Sequence, residues 1–186
     1  MKALIVIDYT NDFVTGKLPC GDPAIAIEKP IIRLVEQFLS SGDEVVMAVD
    51  LHRENDLCHP ETKLFPPHNI EGTDGRKLYG ALQYLYEKSE QFMYWMDKTR
   101  YSAFCGTDLD IRLRARGITE LHLVGVCTDI CVLHTAVDGY NKGYSLHIHE
   151  DAVASFNQAG HEWALGHFQH TLGAALWHDG CMRRTE

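Results

Sequence analysis

The chain is short of basic side chains. It has 17 Lys and Arg residues against 26 Asp and Glu residues, which gives a formal net charge of -9. Binding to phosphate backbones depends on clustered Lys and Arg, and the sequence contains no such cluster. We therefore expect no nucleic-acid partner.

Long hydrophobic runs are missing as well. The first apolar stretch, residues 4–7, ends at Asp8 and is far shorter than the apolar region of a signal peptide. No run approaches the roughly 20 residues that a membrane-spanning helix needs. The sequence thus predicts no membrane association and a cytoplasmic location.

The cysteines are not spaced for a disulfide scaffold or a zinc ribbon. No C-x-x-C pair occurs, so reduced thiols are the better expectation. The six cysteines are Cys20, Cys58, Cys105, Cys127, Cys131 and Cys181.

Internal repeats, low-complexity tracts and obvious linkers are also absent. A chain of 186 residues with 45% hydrophobic residues can bury one substantial core. We expect a single domain over residues 1–186, a frayed polar tail at 178–186, a small-molecule substrate and assembly into a homo-oligomer.

What is present is an alternation of short apolar runs with helical patterns. Strands are predicted at 3–7, 45–49, 92–96, 121–126 and 145–149, with a sixth possible at 174–177. This alternation predicts an α/β fold: a doubly wound, mainly parallel sheet of five or six strands with helices on both faces.

Charged residues stand where three of the predicted strands end. Asp8 follows the first strand, Asp50 the second, and Lys98 comes shortly after the third. A single charged residue in such a place is usually a solvated loop residue. Because ligands bind at the carboxyl ends of the strands in such sheets, three of them together indicate a functional site.

Cys131 lies in the run G-V-C-T-D-I-C-V, residues 125–132, where the fourth strand passes into a helix. Thr128 or Asp129 can cap that helix, which places Cys131 in its first turn. There the helix dipole favours a thiolate, so we expect a lowered pKa and a nucleophilic role. The alternative is a buried core cysteine, since free cysteine is often fully buried.

The segment after Asp50 carries a set of possible metal ligands. His52 follows Asp50 by two residues, and His59, Glu61 and His68 come later in the same loop. Two imidazole nitrogens with two carboxylate oxygens suit Zn, Fe, Mn or Co. Because the chain has 11 histidines, some of them are expected to lie close together by chance. The histidines outside this segment have no partner that the sequence identifies.

Six motifs together resemble the isochorismatase-like cysteine hydrolases and, within that superfamily, the nicotinamidases. They span nearly the whole chain: I-V-I-D-Y-T-N-D-F (5–13), V-D-L-H (49–52), P-E-T-K-L-F-P-P-H-N (60–69), D-K-T-R-Y-S-A-F (97–104), G-V-C-T-D-I-C-V (125–132) and E-D-A-V-A-S (150–155). The resemblance implies a catalytic triad of Asp8, Lys98 and Cys131. It also implies the metal ligands Asp50, His52, Glu61 and His68, with His59 a rival to Glu61.

The same resemblance implies an activity: metal-dependent hydrolysis of nicotinamide to nicotinate and ammonia through a cysteine thioester, in NAD salvage. The backbone N–H groups of Cys127 and Cys131 would bind the oxyanion, next to a cis peptide at Val126–Cys127. Phe13, Phe65 and Tyr101 would clamp the pyridine ring, whose nitrogen would bind the ion, with Zn expected before Fe or Mn.

The sequence leaves two alternatives open. One is another amidohydrolase of the same superfamily, acting on a carbamoyl or ureido substrate. The other is a non-enzymatic, receiver-like domain, which also places acids and a lysine at strand ends. That second alternative leaves Cys131 and the histidine-containing loop unexplained.

Overall fold

A computed structural model describes residues 1–183, and its centre is one seven-stranded sheet. The strands lie in the order β3-β2-β1-β4-β5-β6-β7, and all neighbours are parallel except β6 and β7. Their bounds are β1 Lys2–Ile7, β2 Glu44–Asp50, β3 Tyr94–Lys98, β4 Glu120–Val126, β5 Ser145–Ala154, β6 Ala175–His178 and β7 Cys181–Met182. The predicted α/β class with a mainly parallel sheet is confirmed.

Helices cover both faces of this sheet. They are α1 Asn11–Val14, α2 Asp22–Ala26, α3 Glu28–Ser41, α4 Ala81–Ser89, α5 Leu109–Ala115, α6 Leu133–Asn141 and α7 Gln158–His170, with 3₁₀ turns at Pro60–Lys63, Asp74–Arg76 and Glu90–Phe92. In the described residues, none of the helices has the length and apolar character needed to cross a bilayer.

Strand β1 shows why the sequences of the central strands are unbroken apolar runs. Ile5 and Ile7 pack toward α5, α6 and α7, whereas Leu4 and Val6 pack toward α2, α3 and α4. Both faces of the strand are buried, so no polar alternation is needed.

The strand order reverses direction between β1 and β4, because the chain fills one half of the sheet before crossing to the other. In doubly wound sheets the crevice at this switch point, outside the carboxyl ends of the strands, is the usual place for a ligand. Asp8 follows β1 there, and Cys127 follows β4.

Two strands, β3 and β5, differ from their predicted bounds by more than one residue. Phe92 belongs to a 3₁₀ turn, so β3 begins at Tyr94 and Lys98 is its last residue. Strand β5 runs on to Ala154, because its pairing with β4 shifts register between Leu123 and Gly125 and then resumes.

The sheet also has one strand more than expected. Segment 181–182 lies within the tail predicted to be frayed, yet it forms β7 by pairing antiparallel with β6, as Trp177 with Met182 and His178 with Cys181. The possible sixth strand is confirmed as β6. The rest of the predicted tail, residues 184–186, lies outside the described residues.

Candidate active site

Three of the predicted site residues meet at the carboxyl ends of β1, β3 and β4. The Lys98 Nζ atom lies 2.7 Å from Asp8 Oδ2 and 3.7 Å from Cys131 Sγ. All three side chains are buried, with residue exposures of 1% for Lys98, 0% for Asp8 and 6% for Cys131. The structure therefore brings a carboxylate, an ammonium and a thiol into one contact group shielded from water.

The backbone fixes the direction of the Asp8 carboxylate. Asp8 has a left-handed φ of 54°, and its amide donates to the Ala48 carbonyl at 3.0 Å. The Asp50 N–H in turn donates to Asp8 Oδ1 at 2.8 Å, which leaves Oδ2 for Lys98. Each carboxylate oxygen thus has its own cationic or N–H partner.

Burial shifts the proton affinities in this group. It raises the pKa of the Cys131 thiol well above its usual value, although Lys98 opposes the shift. The prediction that the helix start lowers this pKa is therefore wrong: desolvation and two nearby carboxylates outweigh the cation. Burial also raises the pKa of Asp8, again against the opposing effect of Lys98.

Lys98 itself remains charged. Burial alone would lower its pKa, but Asp8, Cys131 and Asp50 raise the Lys98 pKa well above the usual value. A fixed ammonium beside a protonated thiol and a carboxylate of increased basicity suits proton transfer from Cys131 to Asp8.

A single π-helical turn, Thr128–Val132, carries Cys131 and precedes α6. The predicted capping residues Thr128 and Asp129 do not cap this turn, because both lie inside it. Cys127 occupies the N-cap position instead. The Cys127 carbonyl accepts hydrogen bonds from Ile130 N–H at 3.1 Å and Val132 N–H at 3.2 Å, on either side of Cys131. The peptide bond Val126–Cys127 is cis, as the resemblance implied.

The four residues of the predicted metal group also come together. Their ligand atoms all lie within 4.8 Å of one another, and all four residues are buried. The group consists of Asp50, His52, Glu61 and His68. His52 Nε2 is 2.6 Å from Asp50 Oδ2, and His68 Nε2 is 3.5 Å from the same oxygen.

The donor atoms of this group fit a divalent cation. His68 Nδ1 donates a hydrogen bond to the Pro66 carbonyl at 2.8 Å. The proton of the neutral ring is therefore on Nδ1, and Nε2 keeps its lone pair. Within the described part of the chain, His68 Nε2 and Asp50 Oδ1 are buried without a hydrogen-bond partner. Although burial would raise it, the pKa of Asp50 is held well below its usual range by Lys98 and the two histidines.

His59, the rival ligand, lies just outside the group. Its ring centroid is 4.1 Å from that of His52, but its Nδ1 accepts the Glu61 N–H at 3.3 Å. The remaining ring nitrogen then carries the proton of the neutral imidazole. The geometry favours Glu61 over His59 as the fourth donor.

Two of the three predicted ring-binding aromatics lie next to the ring of His68. Phe13 packs edge-on against His68 at 5.0 Å between centroids, and Phe65 approaches the same ring at 6.4 Å. Tyr101 packs against His134 at 5.2 Å.

Two cavities adjoin the metal group. One of about 520 Å³ is lined by His52, Glu61, Phe65 and His68 among others. Another of about 540 Å³ is lined by Glu61 and Tyr101 among others. Glu61 therefore borders both cavities, whereas Cys131 lines neither of them.

Asn69 is a further residue of this site that the sequence does not predict. It is fully buried with a left-handed φ of 45°. The Asn69 side-chain oxygen accepts a hydrogen bond from Thr10 Oγ1 at 2.8 Å. Its backbone N–H donates to Asp12 Oδ2 at 2.8 Å, and its backbone carbonyl accepts from the His52 N–H at 3.1 Å. It ties the metal-ligand loop to the segment after β1, and its only signal in the sequence is its position after His68.

A second histidine-containing group lies near the starts of β4 and β5, at the other end of the sheet. It consists of Glu120, His122 and His147. The Trp177 Nε1–H donates to His147 Nδ1 at 2.9 Å, so the proton of the neutral His147 ring is on Nε2. That nitrogen is then not available as a metal ligand.

Comparison with known proteins agrees with this fold and this arrangement of residues. The isochorismatase domain family matches residues 2–178. The chain therefore belongs to that family.

Among its relatives is a Bacillus subtilis (strain 168) protein described as an uncharacterized isochorismatase family protein, PncA. It is 63% identical over 179 residues, which are 94% of this chain and 98% of that protein. The crystal structure of nicotinamidase/pyrazinamidase PncA from Bacillus subtilis superposes with a TM-score of 0.93 at 60% identity, covering 94% of this chain and 98% of that one. The structure of Pyrococcus horikoshii pyrazinamidase in complex with zinc gives a TM-score of 0.84 at 28% identity, covering 95% and 98%.

Proposed function

We propose that this chain is a nicotinamidase, which hydrolyses the carboxamide of nicotinamide to nicotinate and ammonia. One observation carries the proposal: the Lys98 ammonium contacts Asp8, lies 3.7 Å from Cys131 Sγ and lies 3.6 Å from Asp50 Oδ1. A nucleophile, a base and a metal-ligand group thus share one buried cation. The nicotinamidase/pyrazinamidase named among the similar structures supports the choice of substrate.

In the proposed mechanism Asp8 takes the proton of the Cys131 thiol, and both side chains contact the Lys98 Nζ atom. The thiolate, held by Lys98, attacks the carboxamide carbon to give a tetrahedral oxyanion. The N–H groups of Cys127 and Cys131 would receive that oxyanion. A donor of this kind is typically worth about 10²- to 10³-fold in rate.

Collapse of this intermediate expels ammonia, to which Asp8 returns the proton, and leaves an acyl thioester on Cys131. Asp8 then takes a proton from an attacking water, a second oxyanion forms in the same place, and nicotinate is released with the thiol restored. The raised pKa of Asp8 suits a group that alternately accepts and donates a proton.

Asp50, His52, Glu61 and His68 would hold a divalent cation, and we propose zinc, with iron or manganese as alternatives. Bound there, the cation would supply a coordination position for the pyridine nitrogen and so fix the ring. Phe13 and Phe65, whose rings both lie next to that of His68, and Tyr101 would confine the pyridine ring. A zinc complex is known for the similar Pyrococcus horikoshii pyrazinamidase.

The test is ammonia release by the purified, metal-loaded protein from nicotinamide and, in parallel, from benzamide. Benzamide has the same ring size and carboxamide but no ring nitrogen. Because positioning can be worth several kcal/mol, we expect benzamide turnover at least about 100-fold below that of nicotinamide. Equal turnover of the two would contradict the proposal, and hydrolysis of a carbamoyl compound alone would favour a different amidohydrolase.

We further propose that residues 1–186 form one hydrolase domain that acts in the cytoplasm as a homo-oligomer. The family match over 2–178 and the six free thiols support the first two points. Exposed Leu57 and Leu64, at 79% and 65%, support association between copies. Light scattering on the purified protein measures the oligomeric state.

A further inference from the structure

Cys20 and Cys127 form a pair of thiols that the proposed mechanism does not use. Their Sγ atoms are 3.2 Å apart although 107 residues separate them in the chain. Both residues are 5% exposed and belong to the core on the α3 side of the sheet. Two thiols in contact at this distance need only a small approach to become a disulfide.

Both cysteines are anchored close to the proposed catalytic groups. The Cys20 N–H donates to the Phe13 carbonyl at 2.8 Å, so its loop is attached to the helix that carries Phe13. The Cys127 carbonyl holds the N–H groups of Ile130 and Val132, and so anchors the turn that contains Cys131. A bond between the two sulfurs would join the segment after β1 to the nucleophile turn.

We propose that Cys20 and Cys127 are a reversible oxidation site, whose closure to a disulfide lowers the activity of the enzyme. The oxidant class is a peroxide. One thiolate attacks hydrogen peroxide to give a sulfenic acid and hydroxide, and the second thiol then displaces the sulfenic hydroxyl as water. In total two thiols lose two electrons and two protons, one disulfide forms, and the peroxide becomes two waters.

The loss of activity follows from the change in length. A disulfide is about 2.05 Å long, against the present 3.2 Å, so the sulfurs must approach by roughly 1 Å. Any share of this movement taken by the Cys127 backbone displaces the proposed oxyanion donors. A misplacement of about 1 Å can cost about 10²-fold in rate. This part of the proposal rests on the proposed function.

The reaction should be slow. Contact with Cys20, and then burial, raises the pKa of Cys127 well above its usual value, so little thiolate is present at neutral pH. The pair would therefore respond to sustained oxidation rather than to a brief exposure.

The first arm of the test is a peptide map of the Cys131→Ser protein after treatment with hydrogen peroxide at pH 8 and blocking of free thiols. Trypsin gives peptide 18–33, which contains Cys20, and peptide 117–142, in which Cys127 is then the sole cysteine. We expect these two peptides to be linked, and dithiothreitol to separate them. The matched control, Cys20→Ala in the same background, should give no such link, and Cys20→Ser serves if that variant does not fold.

The second arm compares nicotinamide hydrolysis by the unaltered protein and by Cys20→Ala after the same treatment. Peroxide can damage Cys131 in both, but only the unaltered protein should show a further loss, at least tenfold, that follows the linked fraction and is recovered with dithiothreitol. Absence of the linked peptides, or equal losses in the two proteins, would overturn the proposal. The map needs no substrate, so failure of the proposed function appears separately, as no ammonia release before oxidation.

Discussion

At the scale of single residues, the central feature is a buried thiol whose pKa is raised rather than lowered. Burial and the neighbouring carboxylates determine the direction, and Lys98 only moderates it. In the proposed mechanism the thiol therefore depends on Asp8 for deprotonation, and the two residues act as one functional unit. Replacing either should have a similar effect on turnover, as for other groups that act together.

The first residue-scale prediction concerns the nucleophile. Cys131→Ser should lower ammonia release from nicotinamide by at least about 10³-fold, because a serine hydroxyl is far less easily deprotonated by Asp8. The control is Cys105→Ser, a change at an exposed cysteine, which should leave turnover within about twofold of the parent. Comparable losses in the two variants would contradict the assignment.

The second residue-scale prediction concerns Lys98. Since Lys98 lowers the Cys131 pKa against burial, Lys98→Met should raise that pKa further. The rate of alkylation of Cys131 by iodoacetamide, followed by mass spectrometry as a function of pH, should shift to higher pH. Lys88→Met, at an exposed position on α4, should not shift it. An unchanged profile in Lys98→Met would mean that this lysine does not act on the thiol.

Residues of the site differ in how far the sequence predicts them. Asp8, Asp50 and Lys98 could be found because apolar runs lead into them, and parallel strands bring their ends together. Asn69 could not, because its role depends on a left-handed backbone and on partners 57 and 59 residues away. The direction of the Cys131 pKa was also beyond the sequence, since it depends on how completely the thiol is desolvated.

At the scale of elements, β1 and β4 must approach closely for the site to form. Gly125 has a φ of 113°, and a Cβ added there would lie 2.0 Å from the Ile7 carbonyl oxygen. The strand pair that carries Asp8 and leads to Cys127 therefore requires glycine at this position.

The prediction at this scale uses two glycines. Gly125→Ala should lower the free energy of unfolding by at least about 3 kcal/mol, because backbone strain and overlap with Ile7 act together. Gly166→Ala, inside α7 with no atom within 4 Å of the added Cβ, should instead raise it by about 0.5 to 1 kcal/mol. Urea unfolding measures both, and an equal effect of the two changes would contradict the close-approach argument.

Element boundaries were less predictable than element types. The strand after Gly143 extends to Ala154 because pairing resumes beyond an irregularity, which no local pattern indicates. The turn around Cys131 is π-helical rather than the start of a regular capped helix. The register shift and the π-helical turn both lie beside the site. Departures from local secondary-structure preference are expected there, because the backbone must place the side chains of the site.

At the scale of the whole molecule, we expect the proposed metal group to contribute to stability as well as to substrate binding. It buries two carboxylates, Asp50 and Glu61, close together, and burial raises the pKa of Glu61. A divalent cation bound to the folded state alone would stabilise it by about 2.7 kcal/mol at 100 times its dissociation constant.

We therefore expect chelation to lower the melting temperature of the metal-loaded protein by several degrees. His52→Ala should melt at a lower temperature before chelation and change little on adding the chelator. His170→Ala, at an exposed position at the end of α7, should respond as the parent does. A melting temperature that is insensitive to chelation in the parent would contradict binding of a cation by this group.

The proposed catalytic residues and most of the proposed metal ligands lie in different parts of the fold, and this separation has an evolutionary consequence. Asp8, Lys98 and Cys131 are set by the ends of strands, whereas His52, Glu61 and His68 all lie in the one connection between β2 and α4. An insertion, deletion or exchange within that connection can replace the proposed metal ligands, and with them the proposed recognition of the substrate, while the proposed nucleophile and base keep their positions. New substrate preferences are thus accessible to this architecture by changing one contiguous stretch of the gene, without rebuilding the sheet.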